Sequence, residues 1–326
     1  MNDQYGRNIE YMRISITDRC DLRCRYCMPA EGIEQVSMDR ILTYEEITEV
    51  AKEAAGLGIS RLKITGGEPL VRKGCPALIG ELKKIPGIQQ VTLTTNGQQL
   101  EKFLPELEAA GVDGINISMD SLRPDRYRQI TGGGDLARTQ RGIYLAAMSG
   151  IPTKINCLLQ KEFNEDEGED FARLAFSLGI PVRFIEIMPV GYGRPEKGIA
   201  GEEILKKLKA VWPQLTRDDT PRGNGPAVYY RIPGSAGAIG LISAMHQVFC
   251  DQCNRIRLTS RGEIKPCLCY EESVDLMPVL RPQEGEKSGT ALRQKLEQAI
   301  AGKPSGHCFI QDPAKAEAAS MMKIGG

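Results

Sequence analysis

Six short runs of apolar and β-branched residues recur along the chain: Tyr11–Thr17, Arg61–Thr65, Gln90–Thr95, Gly114–Ser118, Thr153–Leu159 and Val182–Ile187. A stretch with helical spacing follows each run. Near-continuous apolar strands alternating with helices predict an α/β fold with a parallel sheet covered on its faces. The first helix is predicted to open on Thr43-Tyr44-Glu45-Glu46, a capping box, and to bury Ile47, Val50, Ala51 and Ala54. Asn164 with Glu167 predicts a second helix start of the same kind, and the acidic run Glu165 to Asp170 reads as a solvated first turn. Six βα units are too few for a complete eight-stranded barrel and fit a partial one.

After Met188 the texture changes. Pro- and Gly-rich connections appear at 189–200, 221–227 and 233–240, around one helical stretch from Glu202 to Trp212. We expect a domain boundary near Pro226, with residues 1–226 as the partial barrel and 227–326 as a C-terminal extension. That extension carries a helix near Thr290 to Ile300 and ends Met321-Met322-Lys323-Ile324-Gly325-Gly326.

In open parallel sheets chemistry collects at the carboxyl ends of the strands. Cys20, Cys24 and Cys27 follow the first run, and Gly66-Gly67-Glu68-Pro69 follows the second. Thr94-Thr95-Asn96-Gly97 ends the third, Ser118-Met119-Asp120 the fourth and Met188-Pro189 the sixth. Three thiols in CxxxCxxC spacing are one short of the four that a structural zinc or an ordinary iron–sulfur cluster takes. They suggest a cluster with one iron left open; the alternative is a zinc knuckle with a distant fourth ligand.

A second set, Cys250, Cys253 and Cys267, encloses Arg255-Ile256-Arg257, whose alternation puts both arginines on one face of a strand. Cys269 offers a fourth thiol, so a zinc ribbon is an alternative, but the arginines point to an anionic ligand. Gly132-Gly133-Gly134 lacks a following Gly-Lys-Ser/Thr and is read as a loop between helices. Cys75, Cys157 and Cys308 read as buried small side chains, and His246 and His307 as structural.

Composition narrows the function classes. The chain is 41% hydrophobic and 26% charged, and Lys+Arg equals Asp+Glu at 42 each, so no global field invites nucleic acid or an anionic membrane. An anionic ligand must be held by local cations, and Arg13, Lys63 and Lys154 lie on the first, second and fifth runs. Ten cysteines, with no signal-peptide pattern and no apolar run of membrane length, predict metal or redox chemistry in the cytoplasm.

CxxxCxxC after the first strand and GGEP after the second resemble the radical S-adenosylmethionine (SAM) superfamily. Arg13-Ile14-Ser15, Thr17-Asp18-Arg19-Cys20, Cys27-Met28-Pro29, Arg61–Arg72, Phe184–Met188, Cys250–Leu268 and the terminal Gly-Gly resemble the family of GTP cyclases that begins molybdenum cofactor biosynthesis. The resemblance implies a partial six-unit βα barrel of radical SAM type with a cluster-binding extension, and cofactors that are two [4Fe-4S] clusters and SAM. It implies that Cys20, Cys24 and Cys27 hold the SAM cluster, and that Tyr26, Gly67, Ser118 and Met188 line the SAM site. Cys250, Cys253 and Cys267 would hold the second cluster, whose open iron meets the guanine of GTP. Arg13, Lys63, Thr94, Lys154, Arg255, Ile256 and Arg257 would contact GTP, with Gly325 and Gly326 reaching into the site.

The implied reaction removes the ribose 3′ hydrogen and joins that carbon to C8 of guanine, giving (8S)-3′,8-cyclo-7,8-dihydroguanosine 5′-triphosphate. No acid–base residue is assigned. Implied partners are GTP, an external electron donor, a second copy in a homodimer, and the downstream cyclic pyranopterin monophosphate synthase, with no nucleic acid and no membrane. Two alternatives stand beside this reading: a radical SAM peptide- or tetrapyrrole-modifying enzyme with an auxiliary cluster, and a cysteine-rich zinc-binding interaction module. Cys269 stands where relatives more often carry an aromatic residue, which makes it a competitor of Cys267.

Overall fold

The computed structural model describes residues 1–326 apart from 34–35, 195–196, 247–248, 283–289, 311 and 326. All six expected runs are strands: β1 (Tyr11–Ser15), β2 (Arg61–Thr65), β3 (Gln90–Thr95), β4 (Ile115–Ser118), β5 (Thr153–Cys157) and β6 (Val182–Ile185). β1 stops short of Thr17 because that residue already builds the next loop. Its hydroxyl accepts the Arg19 N–H at 3.0 Å, and its carbonyl accepts the Gly67 N–H at 2.7 Å.

Six shorter strands follow: β7 (Thr216–Asp218), β8 (Val228–Arg231), β9 (Ile239–Ile242), β10 (Arg255–Leu258), β11 (Glu263–Lys265) and β12 (Val274–Asp275). All belong to one sheet in the order β12-β11-β10-β1-β2-β3-β4-β5-β6-β9-β8-β7. β1 to β6 run parallel in chain order, and the sheet is open rather than closed into a barrel. β10 joins β1 and β9 joins β6, both parallel, so the chain after Pro226 flanks both edges of the six-strand core. That return brings Arg255-Ile256-Arg257 into register with Tyr11-Met12-Arg13.

The capping box forms as expected. Thr43 Oγ1 accepts the Glu46 N–H at 3.2 Å and Glu46 returns a carboxylate oxygen to the Thr43 N–H at 2.7 Å, and Ile47, Val50, Ala51 and Ala54 of the helix Tyr44–Gly56 are buried. The later helix departs from expectation. It runs Gly168–Leu178, because Asn164 caps the preceding turn instead, accepting the Gln160 N–H at 2.6 Å. Glu167 is fully buried, accepting the Ser121 hydroxyl at 2.8 Å, the Leu122 N–H at 2.6 Å and an Arg126 N–H at 3.1 Å. A buried carboxylate with three donors is stable, so only part of the acidic run is solvated.

The main core lies between the sheet and its covering helices, and includes Ile14, Ile64, Leu93, Ile117, Ile155, Phe184, Ile256 and Leu258. Burying each such side chain contributes about 1.5–3 kcal/mol. The opposite face of the sheet is polar and turns toward the site. A second, small core of Val190, Cys269, Cys308, Phe309, Ala316 and Ile324 lies under the C-terminal segment.

Candidate active site between two cysteine triads

The loop carrying Cys20, Cys24 and Cys27 is shaped by backbone contacts. Arg23 and Arg25 donate their N–H groups to Thr131 and Ile130 at 2.8 and 3.0 Å, and Cys27 donates to the Cys24 carbonyl at 2.8 Å. Gly132, the first glycine of the triple, has φ +66°, and a Cβ there would lie 2.7 Å from Arg23 Cβ. The glycine loop is thus the support of the cysteine loop. Gly67 is the other close approach: a Cβ would stand 2.3 Å from the Arg19 carbonyl oxygen and 3.1 Å from Cys20 Cβ. Only glycine fits there.

Fixed charges of both signs stand near this triad: the Arg23 guanidinium donates to the Cys20 carbonyl at 2.8 Å, and two buried carboxylates, Glu68 and Asp120, lie close by. Glu68 is buried and accepts the Asn96 N–H at 2.6 Å, the Leu70 N–H at 3.0 Å and the Thr95 hydroxyl at 2.8 Å. Burial pushes its carboxyl up to about 7 against those donors. Asp120, behind the loop, accepts the Tyr26 hydroxyl at 2.6 Å and the Leu158 N–H at 2.8 Å, and burial raises it to about 6. Burial, followed by neighbouring Glu68 and Asp21, lifts Cys20 to about 12. Burial lifts Cys24 far up, and it takes Cys27 to about 11.

The second triad sits among cations. Cys250 begins a short turn that closes with the Cys253 N–H on the Cys250 carbonyl at 3.1 Å, and Cys267 follows β11. Lys303, only 2% exposed, donates to the Arg255 carbonyl at 2.8 Å and the Pro266 carbonyl at 2.7 Å, bracketing the two cysteine segments. Burial raises Cys253, but the charges of Arg255 and Lys303 outweigh it and bring the thiol down to about 7. The Cys269 N–H donates to Cys267 Sγ at 3.4 Å, but the Cys269 sulfur is engaged elsewhere. Its sulfur lies 2.8 Å from Cys308 Sγ and accepts the Cys308 N–H at 3.0 Å.

Between the triads the register builds a row of cations. Arg257, Arg13 and Lys63 are partners across β10, β1 and β2, while Thr94, Asn116 and Lys154 are partners across β3, β4 and β5. Desolvation by burial lowers Arg13, Arg257 and Lys63, and mutual repulsion within the row adds to it. Lys154 is brought down to about 8 by burial and by Arg183 and Arg222, and its ammonium donates to the Arg222 carbonyl. Ile256 faces the other way, fully buried in the main core, so only its backbone is available to a ligand.

One cavity joins these parts. Its walls include all six triad cysteines together with Tyr26, Gly67, Ser118, Met188, Arg13, Thr94, Arg255 and Arg257. It runs from one triad to the other and is open to solvent. Lys63, Lys154 and Gly325 stand beside it; Gly325 offers its carbonyl to an Arg257 N–H at 2.8 Å. Gly326 lies outside the described residues.

Two models of protein families match this chain: the radical SAM superfamily over residues 14–175 and Molybdenum Cofactor Synthesis C over residues 180–309. A GTP 3′,8-cyclase of Alkaliphilus metalliredigens is 45% identical over 330 residues, covering 100% of both chains. The chain belongs to the GTP 3′,8-cyclase family. Another GTP 3′,8-cyclase, of Geobacter sulfurreducens, is 42% identical over 99% of both chains. Among solved structures, Streptococcus suis SuiB bound to S-adenosylmethionine shares the fold, with a TM-score of 0.67 over 95% of this chain and 75% of that one at 14% identity.

Several residues in and around this cyclase-family site carried weak sequence signals. Glu68 and Asp120 stood inside motifs without a role. Asn116, Asn156 and Arg183 are polar positions inside apolar strands, a pattern that marks an inward face; Arg183 donates to Asn156 Oδ1 at 2.9 Å and to Asn116 Oδ1. Lys303 and His307 line the same cavity and had no local signal.

Proposed function

We propose that this chain cyclises GTP to (8S)-3′,8-cyclo-7,8-dihydroguanosine 5′-triphosphate, the first step of molybdenum cofactor biosynthesis. The observation that carries the reading is one cavity walled by both cysteine triads, with Arg13, Arg255 and Arg257 in the same walls. Its cofactors are SAM and two [4Fe-4S] clusters, which supply a carbon-centred radical able to take hydrogen from an unactivated C–H bond.

The thiols of Cys20, Cys24 and Cys27 fit the SAM cluster, beside a Gly67 cradle in which a Cβ has no space. Tyr26, Gly67, Ser118 and Met188 line the SAM position, and Glu68 adds a negative charge suited to a cationic sulfonium. Cys250, Cys253 and Cys267 fit the second cluster. A triphosphate carries roughly four negative charges, and desolvated, mutually repelling cations bind it by relieving their own repulsion. Arg13, Lys63, Lys154, Arg255 and Arg257 supply those cations, Thr94 a hydroxyl, and Ile256 its backbone. Met188, Val190, Leu268, Phe309 and Met322 give the cavity apolar walls that exclude water and stray hydrogen donors.

On this reading residues 1–226 form the radical-generating core and 227–326 the extension that binds the second cluster. No described helix is long and apolar enough to cross a membrane, and we place the enzyme in the cytoplasm. It works as a homodimer with an external electron donor and passes its product to cyclic pyranopterin monophosphate synthase. Anaerobic incubation with reductant, SAM and GTP tests the reaction by product mass analysis. 5′-Deoxyadenosine release coupled to GTP consumption is expected; release that ignores GTP overturns the substrate assignment.

A further inference from the structure

The last residues of the chain reach both halves of the site. Met321 and Met322 line the cavity together with Cys27 and Cys20, and the Gly325 carbonyl takes an Arg257 N–H at 2.8 Å. Gly325 has φ +79°, and a Cβ there would lie 2.8 Å from Ser15 Cβ, so this end is threaded closely against β1. The short helix Met321–Ile324 is too brief to hold that position by itself.

What holds it lies one step back. Glu317 and Lys265 form an ion pair of 2.5 Å with side chains 5% and 4% exposed, and Lys265 also donates to the Glu271 carbonyl at 3.1 Å. The other carboxylate oxygen of Glu317 accepts the Ala319 N–H at 2.8 Å. The Glu317 backbone donates to the Cys269 carbonyl at 2.7 Å and accepts the Gly191 N–H at 3.1 Å. Gly191 lets the segment pass: a Cβ there would stand 2.5 Å from the Ala319 carbonyl oxygen. Residue 317 is therefore pinned between the loop after β6 and the segment after Cys267. Neither Lys265 nor Glu317 lines the cavity.

We propose that Lys265 and Glu317 are positioning residues for the cyclisation: a buried clasp that sets the tail, so that Met322 and Gly325 meet the first triad and Arg257 together. This rests on the reading that the tail serves the GTP site. Removing one partner of a buried pair strands the other charge, whereas replacing both with apolar groups is often tolerated. That asymmetry gives the test.

The reconstituted enzyme is compared as wild type, Glu317→Gln, Lys265→Met, the double variant Lys265→Met/Glu317→Met, and a deletion of Gly325-Gly326. In both single variants, amide hydrogen exchange over residues 319–325 is expected to rise about tenfold, with cyclised product per 5′-deoxyadenosine falling about as much. Iron content and GTP-independent SAM cleavage stay at wild-type values, and the double variant recovers protection and coupling to within about threefold. The clasp is overturned if the single variants keep both, if they lose iron, or if the double variant fares no better than they do. A deletion that leaves coupling intact removes the tail's role itself, while exchange in the clasp variants still reads the clasp.

Discussion

The two cysteine triads open into one cavity yet differ in the buried charges beside them. Cys20, Cys24 and Cys27 have carboxylates near them, Glu68 and Asp21 acting on Cys20 and Asp120 on Cys24. Cys250, Cys253 and Cys267 have Arg255 and Lys303, and Arg13 and Arg257 share their cavity. SAM is cationic at sulfur and GTP strongly anionic. The buried carboxylates near the first triad and the buried cations near the second thus each suit the ligand proposed for that side, although Arg23 also stands at the first triad, on the Cys20 carbonyl. At equal burial the sign of the neighbours decides which ligand is drawn in. The shared strand register, Arg13 beside Arg257 on one side and Lys63 on the other, shows how one sheet face serves both.

The largest effects come from the thiols themselves. Cys24→Ala should abolish SAM cleavage and take iron from about eight to about four atoms per chain. Cys253→Ala should lose the same amount of iron yet retain SAM cleavage uncoupled from GTP. Iron analysis with 5′-deoxyadenosine quantitation checks both. Equal loss of SAM cleavage in the two variants would erase the division of labour.

Next come the framing charges. Arg255→Ala or Arg257→Ala removes charge-assisted hydrogen bonds of about 1.5–3 kcal/mol each, so GTP affinity should fall about 10- to 100-fold with SAM affinity unchanged. Glu68→Gln should do the reverse, weakening SAM and sparing GTP. Equilibrium binding of each ligand to the four proteins gives the answer. An arginine variant that weakens SAM as much as GTP would show that the two charge fields are not separate.

The same opposition predicts two pH limbs. Glu68, raised to about 7 by burial, is neutral below that pH, so SAM affinity should fall as pH drops through 7. Lys154, lowered to about 8 by burial and neighbouring cations, is neutral above that pH, so GTP affinity should fall as pH climbs through 8. GTP binding then takes up a proton on the alkaline side, and about a fivefold loss of affinity is expected over the next pH unit. Calorimetry in buffers of different ionisation enthalpy measures that proton. Lys154→Arg should flatten the alkaline limb; a limb that persists unaltered assigns it to another group.

Strand positions were legible because their signal is local, β-branched runs of five to seven residues. Only Arg61–Thr65 and Gln90–Thr95 kept both expected ends; the other four strands are one or two residues shorter than their runs. Arg255 and Arg257 were legible as one face because alternation in a strand is geometric. Ile256 shows the limit of that logic, since the alternation that aims its neighbours at the cavity sends its side chain into the core. Lys303 and the Lys265–Glu317 pair were not legible, because their partners lie tens of residues away and form only after the chain returns to β1. Asn164 misled for a related reason: a capping residue can serve a turn as readily as a helix.

The smallest effect concerns which thiol completes the second triad. Cys269 follows Cys267 by two residues, so sequence spacing cannot separate them, but packing does. The Cys269 sulfur is buried against Cys308 Sγ and receives the Cys308 N–H, within the small core that also holds Ile324. Both thiols line the cavity, but the Cys269 sulfur would have to leave Cys308 to reach iron, which favours Cys267. Cys269→Ser should therefore leave about eight irons per chain and unchanged coupling, at a stability loss of about 1–2 kcal/mol for a polar group placed in an apolar site. Cys267→Ser should lose about four irons. If the two variants exchange these outcomes, Cys269 is the ligand and its contact with Cys308 breaks when the cluster is built.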